Sequence, residues 1–423
     1  MKKILVLLLL VLCFAAAFYV YVDTNDPEIS WGIGDKTSIN APLKIEITDD
    51  IGLKEVCYTV SGGACVDKKQ CFTDFPDRSF DLVIEPAKCA QNAEPFKFQV
   101  AVNVVDSSLI ANKVDGKIEL TFDDQAPRLA TLDGTRSLKR GGAGVVLYEV
   151  GEHPDETGIV LDDFIFRAFA YDQNKYLSFY VHPFYVEPDD FKPRVFARDE
   201  AGNTRKIRPG SRTAAYAYPA VEIELTDNFL NVVQEKLMND ANKTPLEAFV
   251  QINDIVRKEN YRVIEAQCQK TMAQKLWEGA FLRNLGATKA DFAEHRTYTY
   301  RSDVVSRQAH TGIDIAGVNN TEIVAANHGK VVFAGEIGIY GNVVILDHGY
   351  GIHSLYGHLS QIDVHEGDMV KKGDPIAVSG ETGLAFGDHL HFEIRINGIP
   401  VNPIEWFDDV WVKTNIDRFL PKG

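Results

Sequence analysis

Gly387-Asp388-His389-Leu390-His391-Phe392-Glu393 is the stretch on which the reading of this chain turns. Residues two apart on a β-strand point to the same face. Read as a strand, the stretch directs His389 and His391 to one site, with Cα atoms roughly 6.6 Å apart. One imidazole can then bind a metal while the other stands beside it, and the spacing does not say which is which.

Upstream, His310-Thr311-Gly312-Ile313-Asp314 supplies a second pair. Fully extended, His310 and Asp314 would stand about 13 Å apart. Zinc ligand atoms lie only about 2 Å from the metal, so the chain must bend between them. Gly312 is suited to allow the bend. Gly312 and Ile313-Asp314-Ile315 favour strand and turn over helix. His358 lies between the two pairs, and eight of the chain's 11 His fall from His310 to His391. Two His and one carboxylate suit a catalytic zinc, which keeps a fourth position open for water. Such a metal brings the pKa of that water toward neutral and polarises a carbonyl. Two further His could take the water's proton, donate to a leaving amine or hold an oxyanion.

Either His pattern alone is a weak signal. Their surroundings strengthen it: Ala325-Ala326-Asn327-His328-Gly329-Lys330-Val331, Tyr340-Gly341-Asn342, Asp347-His348-Gly349, Leu355-Tyr356-Gly357-His358-Leu359-Ser360 and Val401-Asn402-Pro403. Together, over about 297–412, these motifs closely resemble the LytM/lysostaphin-type zinc endopeptidases of peptidoglycan. The resemblance implies Zn2+ as cofactor, with His310, Asp314 and His391 as its ligands. It implies His358 and His389 as the non-ligand catalytic pair, in a β-sheet peptidase domain with an open groove above the metal. His328, His348, His353 and His365 receive no role and are read as turn or edge-strand positions.

The rest of the chain is read from its patterns. At 423 residues it should hold more than one domain. Its 44 Lys+Arg against 60 Asp+Glu, with no basic block, exclude a nucleic-acid partner. Lys2 and Lys3 precede an apolar run from Ile4 to Val22, and as a helix its 19 residues would span roughly 29 Å. Residues 1–26 are thus a signal anchor, favoured because the run continues past Ala15-Ala16-Ala17, or else a cleaved signal peptide. Cys57, Cys65, Cys71 and Cys89 suit two disulfides in an exported module, with pairing left open, and Cys268 reads as a lone buried thiol.

The expected fold is multidomain and mainly β. Leu43-Ile45-Ile47, Val56-Tyr58-Val60 and Phe96-Phe98-Val100-Val102-Val104 carry the strand period, giving a first immunoglobulin-like β-sandwich module over 27–124. A second such module spans 125–212, with Leu177-Phe179-Val181, Arg194-Val195-Phe196-Ala197 and the turn Asp199-Glu200-Ala201-Gly202-Asn203. A helical connector follows over 213–296, the peptidase domain over 297–412 and a tail over 413–423. In the connector, Thr244-Pro245-Leu246-Glu247 is a helix start, and Phe249, Ile252, Ile255 and Val256 form its apolar stripe. Met272, Leu276 and Trp277 suggest another helix. Segment 227–294 is expected to restrict access to the zinc.

The function expected is a zinc-dependent endopeptidase that hydrolyses peptide bonds in peptidoglycan stem peptides or cross-links. It is exported to the cell envelope, held in the inner membrane by its N-terminal helix and facing the periplasm. The β-modules offer docking surfaces for an envelope protein partner. The alternative is a non-catalytic envelope scaffold or activator of another wall hydrolase. A third reading is an adhesion or docking protein working through the β-modules. A complete set of metal-site residues weighs against both.

Overall fold

The computed structural model describes residues 25–421, apart from 33, 39–41, 63–64, 86–94, 239 and 241. The apolar run Ile4–Val22 and Cys89 lie outside the described residues, as does the side chain of Cys65. Among the described residues no helix is long and apolar enough to cross a membrane. The chain forms two compact units. One contains residues up to Arg128 with Glu152–Glu156 and Ala197–Arg205, and the other holds the remainder to the C-terminus.

In the first unit, alternating strands bury one face each. Leu43–Thr48 pairs with Glu28–Ser30 and Ser79–Ile84 in one sheet. The strands Lys36–Thr37, Lys113–Phe122, Phe96–Asp106, Leu53–Gly62 and Cys65–Phe72 form the other, in that order. Ile45, Ile47, Val56, Val100 and Val102 are fully buried in one apolar cluster drawn from both sheets. Each such side chain contributes about 1.5–3 kcal/mol. Of the four clustered cysteines, Cys57 and Cys71 are joined across neighbouring strands. The turn at Asp199 also belongs to this unit. Asp199 Oδ1 accepts from the Asn203 amide (2.8 Å), and Asn203 Nδ2 donates to the Asp123 carbonyl (2.7 Å).

The second unit begins with antiparallel strands in the order Glu156–Leu161, Phe164–Asp172, Lys175–Val181, Ala143–Val150 and Leu129–Gly134. Phe169 and Phe179 of this sheet pack on Tyr350, with ring centroids 5.1 and 6.2 Å away. The helices follow. Thr244 caps Pro245–Gln251 through a reciprocal box with Glu247, as its sequence requires. The chain then widens into a π-turn, Ile252–Val256, before helix Arg257–Gln267. The extra residue rotates the register, so Phe249 and Ile252 are fully buried while Ile255, expected in the stripe, is exposed.

No helix forms at Met272–Trp277, contrary to the sequence expectation. The segment's backbone groups are engaged with the turn at Asp347–Tyr350 instead. The Met272 amide donates to Asp347 Oδ2 (2.8 Å), the Tyr350 amide to the Met272 carbonyl (2.9 Å) and the Leu276 amide to the His348 carbonyl (2.9 Å).

The helical segment shares its core with the strands that follow. Leu230, Val233, Phe249, Ile252 and Ile264 share one core cluster with Val343, Ile345 and Leu355 of the C-terminal sheet and with Tyr340 just before strand Gly341–Asp347. That sheet is antiparallel, in the order Ala287–Ala290, Ile313–Ala316, Leu390–Ile396, Ile352–Leu359, Gly341–Asp347, Gly329–Ile337 and Met369–Val370. Its central strands Leu390–Ile396 and Ile352–Leu359 are buried along their whole length. Both faces of the sheet centre are therefore covered, and the strands that carry the site rest on a rigid frame.

Candidate metal centre and active-site groove

Strand register brings the expected residues together. Asp314 faces His391 across one ladder, and His391 faces Gly357 across the next. His310 directly follows strand Asp303–Ala309. His310 Nε2 stands 3.0 Å from Asp314 Oδ1 and 3.0 Å from His391 Nδ1, and the latter is 3.0 Å from Asp314 Oδ1. Gly312 serves this geometry by absence of bulk. A Cβ there would stand 2.3 Å from the Phe392 carbonyl oxygen, and its φ is not left-handed. Close approach of two strands, rather than an unusual torsion, demands glycine here.

Each imidazole is oriented by its far nitrogen. His310 Nδ1–H donates to the Asp291 carbonyl at 3.0 Å, which leaves Nε2 for the site. His391 Nε2–H donates to Glu393 Oε1 at 2.8 Å, which leaves Nδ1. Glu393 is fully buried, accepts from Thr311 Oγ1 (2.5 Å) and Tyr340 OH (3.0 Å), and is ion-paired to Arg395. Burial opposes its charge, but Arg395 and His391 hold its carboxyl below the ordinary range. This carboxylate–histidine relay is the kind of support that fixes metal ligands.

The donor set fits zinc. Three ligand atoms at about 2.0–2.1 Å from a tetrahedral zinc lie about 3.3 Å from one another, a few tenths more than the triangle measured. Charge agrees. Burial alone would protonate Asp314, yet His310 and His391 hold its carboxyl well below the usual value. Burial opposes charge on His391, but hydrogen bonds to Asp314 and Glu393 raise it to about 9. Positive charge is thus favoured between these atoms, and a divalent cation satisfies the same demand. Among the described residues this trio is one of two acid, His or Cys clusters close enough to hold a metal; the other includes the disulfide-bonded Cys57 and Cys71.

His358 and His389 stand beside the trio. Asn342 pairs with Leu359 but Val344 with Tyr356, so Gly357-His358 forms a bulge, and His358 adopts φ 61°. Bulges and left-handed non-glycine residues collect where a side chain must be re-aimed. His358 Nδ1–H donates to the Thr382 carbonyl at 2.8 Å, and His389 Nδ1–H to the Gly387 carbonyl at 2.7 Å. Both Nε2 atoms are left without those partners. The two rings lie 4.7 Å apart, and His389 Nε2 is 3.6 Å from Asp314 Oδ1. Burial, with His389 and His391 nearby, pushes the His358 pKa well below 6.5. His358 is therefore neutral and able to accept a proton. All five residues line one cavity of about 460 Å³.

Two of the remaining histidines are held inside the fold. His348 and His353 are fully buried: His348 donates to the His328 carbonyl (2.7 Å), and His353 bonds the Lys270 carbonyl (3.0 Å). His353 sits within the buried strand Ile352–Leu359, not at an edge, and His365 is exposed. Several site residues carried no role in the sequence reading. Glu393 had a usable signal, since it is two residues beyond His391 on the same strand face. Arg296, whose Nη2 lies 3.3 Å from Asp314 Oδ2, and Arg257 in the cavity wall had none, because distant segments deliver them.

The His310, Asp314 and His391 cluster thus sits on an antiparallel sheet. Residues 308–403 match the model of peptidase family M23, and the chain carries a domain of that family. Over 95 residues it is 46% identical to the DD-carboxypeptidase/endopeptidase Mpg of Neisseria meningitidis serogroup B, covering 22% of each chain. Over 102 residues it is 42% identical to the murein hydrolase activator NlpD of Salmonella dublin, covering 24% of this chain and 27% of that one. The match thus spans about a fifth to a quarter of these curated relatives. Among solved structures, the lysostaphin catalytic domain of Staphylococcus simulans is 28% identical at TM-score 0.24, over 29% of this chain and 92% of that one.

Proposed function

We propose that the chain is a zinc-dependent peptidase that hydrolyses peptide bonds in peptidoglycan stem peptides or cross-links. The observation that carries this reading is the convergence of His310, Asp314 and His391 within 3.0 Å of one another, with two more imidazoles beside them. His310, Asp314 and His391 would hold the metal. Bound there, zinc supplies a Lewis acid that makes water nucleophilic near neutral pH and polarises the scissile carbonyl. His358, neutral and fixed by Thr382, is placed to take the water's proton and deliver it to the leaving amine. With Nδ1–H held by the Gly387 carbonyl, His389 would donate from Nε2 to the developing oxyanion only in its doubly protonated form. Arg296 neutralises the outer oxygen of Asp314 and leaves Oδ1 for the metal.

The relatives Mpg and NlpD support a wall-facing role, with the protein exported to the envelope and held by the segment Ile4–Val22. The similarity to a murein hydrolase activator keeps one second reading: a groove that binds another hydrolase. Purified sacculi digested with the full chain, with and without chelator, separate the two by mass spectrometry. The peptidase reading expects new amine termini that vanish with chelator and return with zinc. A zinc-loaded chain that releases nothing favours the activator.

A further inference from the structure

Resting on the peptidase reading, we infer that Arg257 is a carboxylate-recognition residue of the groove, so that the substrate is a peptide bearing a free carboxylate near the cut. Arg257 lines the same cavity as the metal trio, although it comes from the helical segment, outside the residues matched by the family model. It lies at the exit of the π-turn Ile252–Val256. Such a turn is rare in helices and frequent at functional sites.

Its partners are neutral. Nε and Nη2 donate to Asn253 Oδ1 at 3.2 and 2.6 Å, and Nε also reaches the Asn253 carbonyl at 3.2 Å. The other groups that act on it are the phenols of Tyr261, Tyr298 and Tyr340. Among the described residues no carboxylate stands within ion-pair distance of it. The other arginine of the cavity is different: Arg296 is satisfied by Glu294 (2.9 Å) and Asp314 (3.3 Å). The one nearby acid on the π-turn, Asp254, is engaged by Ser306 (2.6 Å) and Gln308 (2.9 Å).

A half-buried guanidinium in a cavity wall without a counter-charge favours a ligand anion beside it. Arg is the side chain whose planar fork matches a carboxylate. Asn253 holds Nε and Nη2, and the Tyr261 hydroxyl also acts on the guanidinium, so its neighbours orient the fork without neutralising it. Tyr340 links it to the chemistry, since its ring lies 5.3 Å from that of His391 and its hydroxyl bonds Glu393. Lys289, also in the cavity wall and without an acidic partner among the described residues, adds to the field. The carboxylate has two sources in a wall peptide: the terminal carboxylate of an uncross-linked stem, or the side-chain carboxylate of a diaminopimelate residue.

The test uses the zinc-loaded full chain and stem peptides whose scissile amide is reduced to an amine, so that they bind without being cut. One pair differs in a terminal carboxylate against a terminal amide. A second differs in diaminopimelate against lysine, which lacks the carboxylate. The expected result is at least tenfold tighter binding of the carboxylate form in one pair, the range of a charged hydrogen bond. The discriminating pair names the source. Arg257→Gln should abolish the preference, and Arg257→Lys should keep part of it, with thermal melts confirming that each variant folds. Equal affinity within both pairs, failure to bind either form, or a preference that survives in Arg257→Gln overturns the inference. Separate digestion of the unmodified peptides reports on the peptidase reading, so the two failures are distinguishable.

Discussion

Asp314 Oδ1 and His391 Nδ1 lie 3.0 Å apart on residues that face each other in register across neighbouring strands. A one-residue slip of either strand would turn one of them to the opposite face. The clustering of His310, Asp314 and His391 is therefore a property of sheet register, and what holds the register holds the cluster.

Glu393 is the first such support. Glu393→Gln keeps shape but leaves Arg395 without its carboxylate and His391 without a charged acceptor. Zinc affinity should fall about 10–100-fold. Stability should fall by about 3–5 kcal/mol, since a buried cation loses its partner. Metal titration and denaturant unfolding check the two effects. Unchanged zinc affinity would remove Glu393 from the site's support.

The sequence predicts a helical connector over 213–296, with segment 227–294 restricting access to the zinc. It shares the apolar core of the C-terminal sheet and supplies Arg257 to the groove wall. A fragment starting at 297 should therefore expose that core and aggregate, whereas cleavage within the first unit should leave activity intact. Solubility and circular dichroism of the fragment test this. A soluble, active fragment would show that the segment is not needed for the fold of the C-terminal sheet.

The sequence carried much of the site and less of its setting. His389-Leu390-His391 declares a shared face because strand alternation is local, whereas the bulge that re-aims His358 shows only in the strand register. The choice of His391 as ligand came from family resemblance, and the geometry that places its Nδ1 in the triangle depends on Glu393 and cross-strand pairing. Met272, Leu276 and Trp277 misled because apolar spacing says nothing about which backbone groups a distant turn will bind. Ile255 misled because a π-turn breaks the 3.6-residue period. Arg257 and Arg296 were silent: lone arginines carry no spacing, and only tertiary structure brings them to the cavity.

The joined pair Cys57 and Cys71 closes a loop of 14 residues. Opening it with Cys71→Ser should cost the first unit about 3 kcal/mol. Under non-reducing conditions neither thiol should react, while Cys268, buried and pushed up to about 12, should react only on unfolding. Reaction of Cys57 or Cys71 in the folded, unreduced protein would contradict the bridge.

Glu405 gives a pH signature away from the metal. Burial, only partly offset by Lys139, raises its carboxyl from 4.5 to about 7, and its Oε2 has no hydrogen-bond partner. Below pH 4.5 the group is neutral both folded and unfolded. As pH rises through 7, the folded protein must bury a charge, so this stability is lost. Glu405→Gln should therefore be near neutral at pH 4 and stabilise by up to about 3 kcal/mol at pH 8. Equal effects at both pH values would show that Glu405 does not titrate this way.

The central claim is that three residues hold the metal while two others act on the substrate. Zinc content and peptide cleavage, measured together on single alanine variants of the full chain, test it most directly. His310→Ala, Asp314→Ala and His391→Ala should lose zinc and activity together. His358→Ala and His389→Ala should keep near-stoichiometric zinc while turnover falls by about 100-fold or more. Zinc lost from His389→Ala but retained by His391→Ala, or retained by all five, would contradict the account.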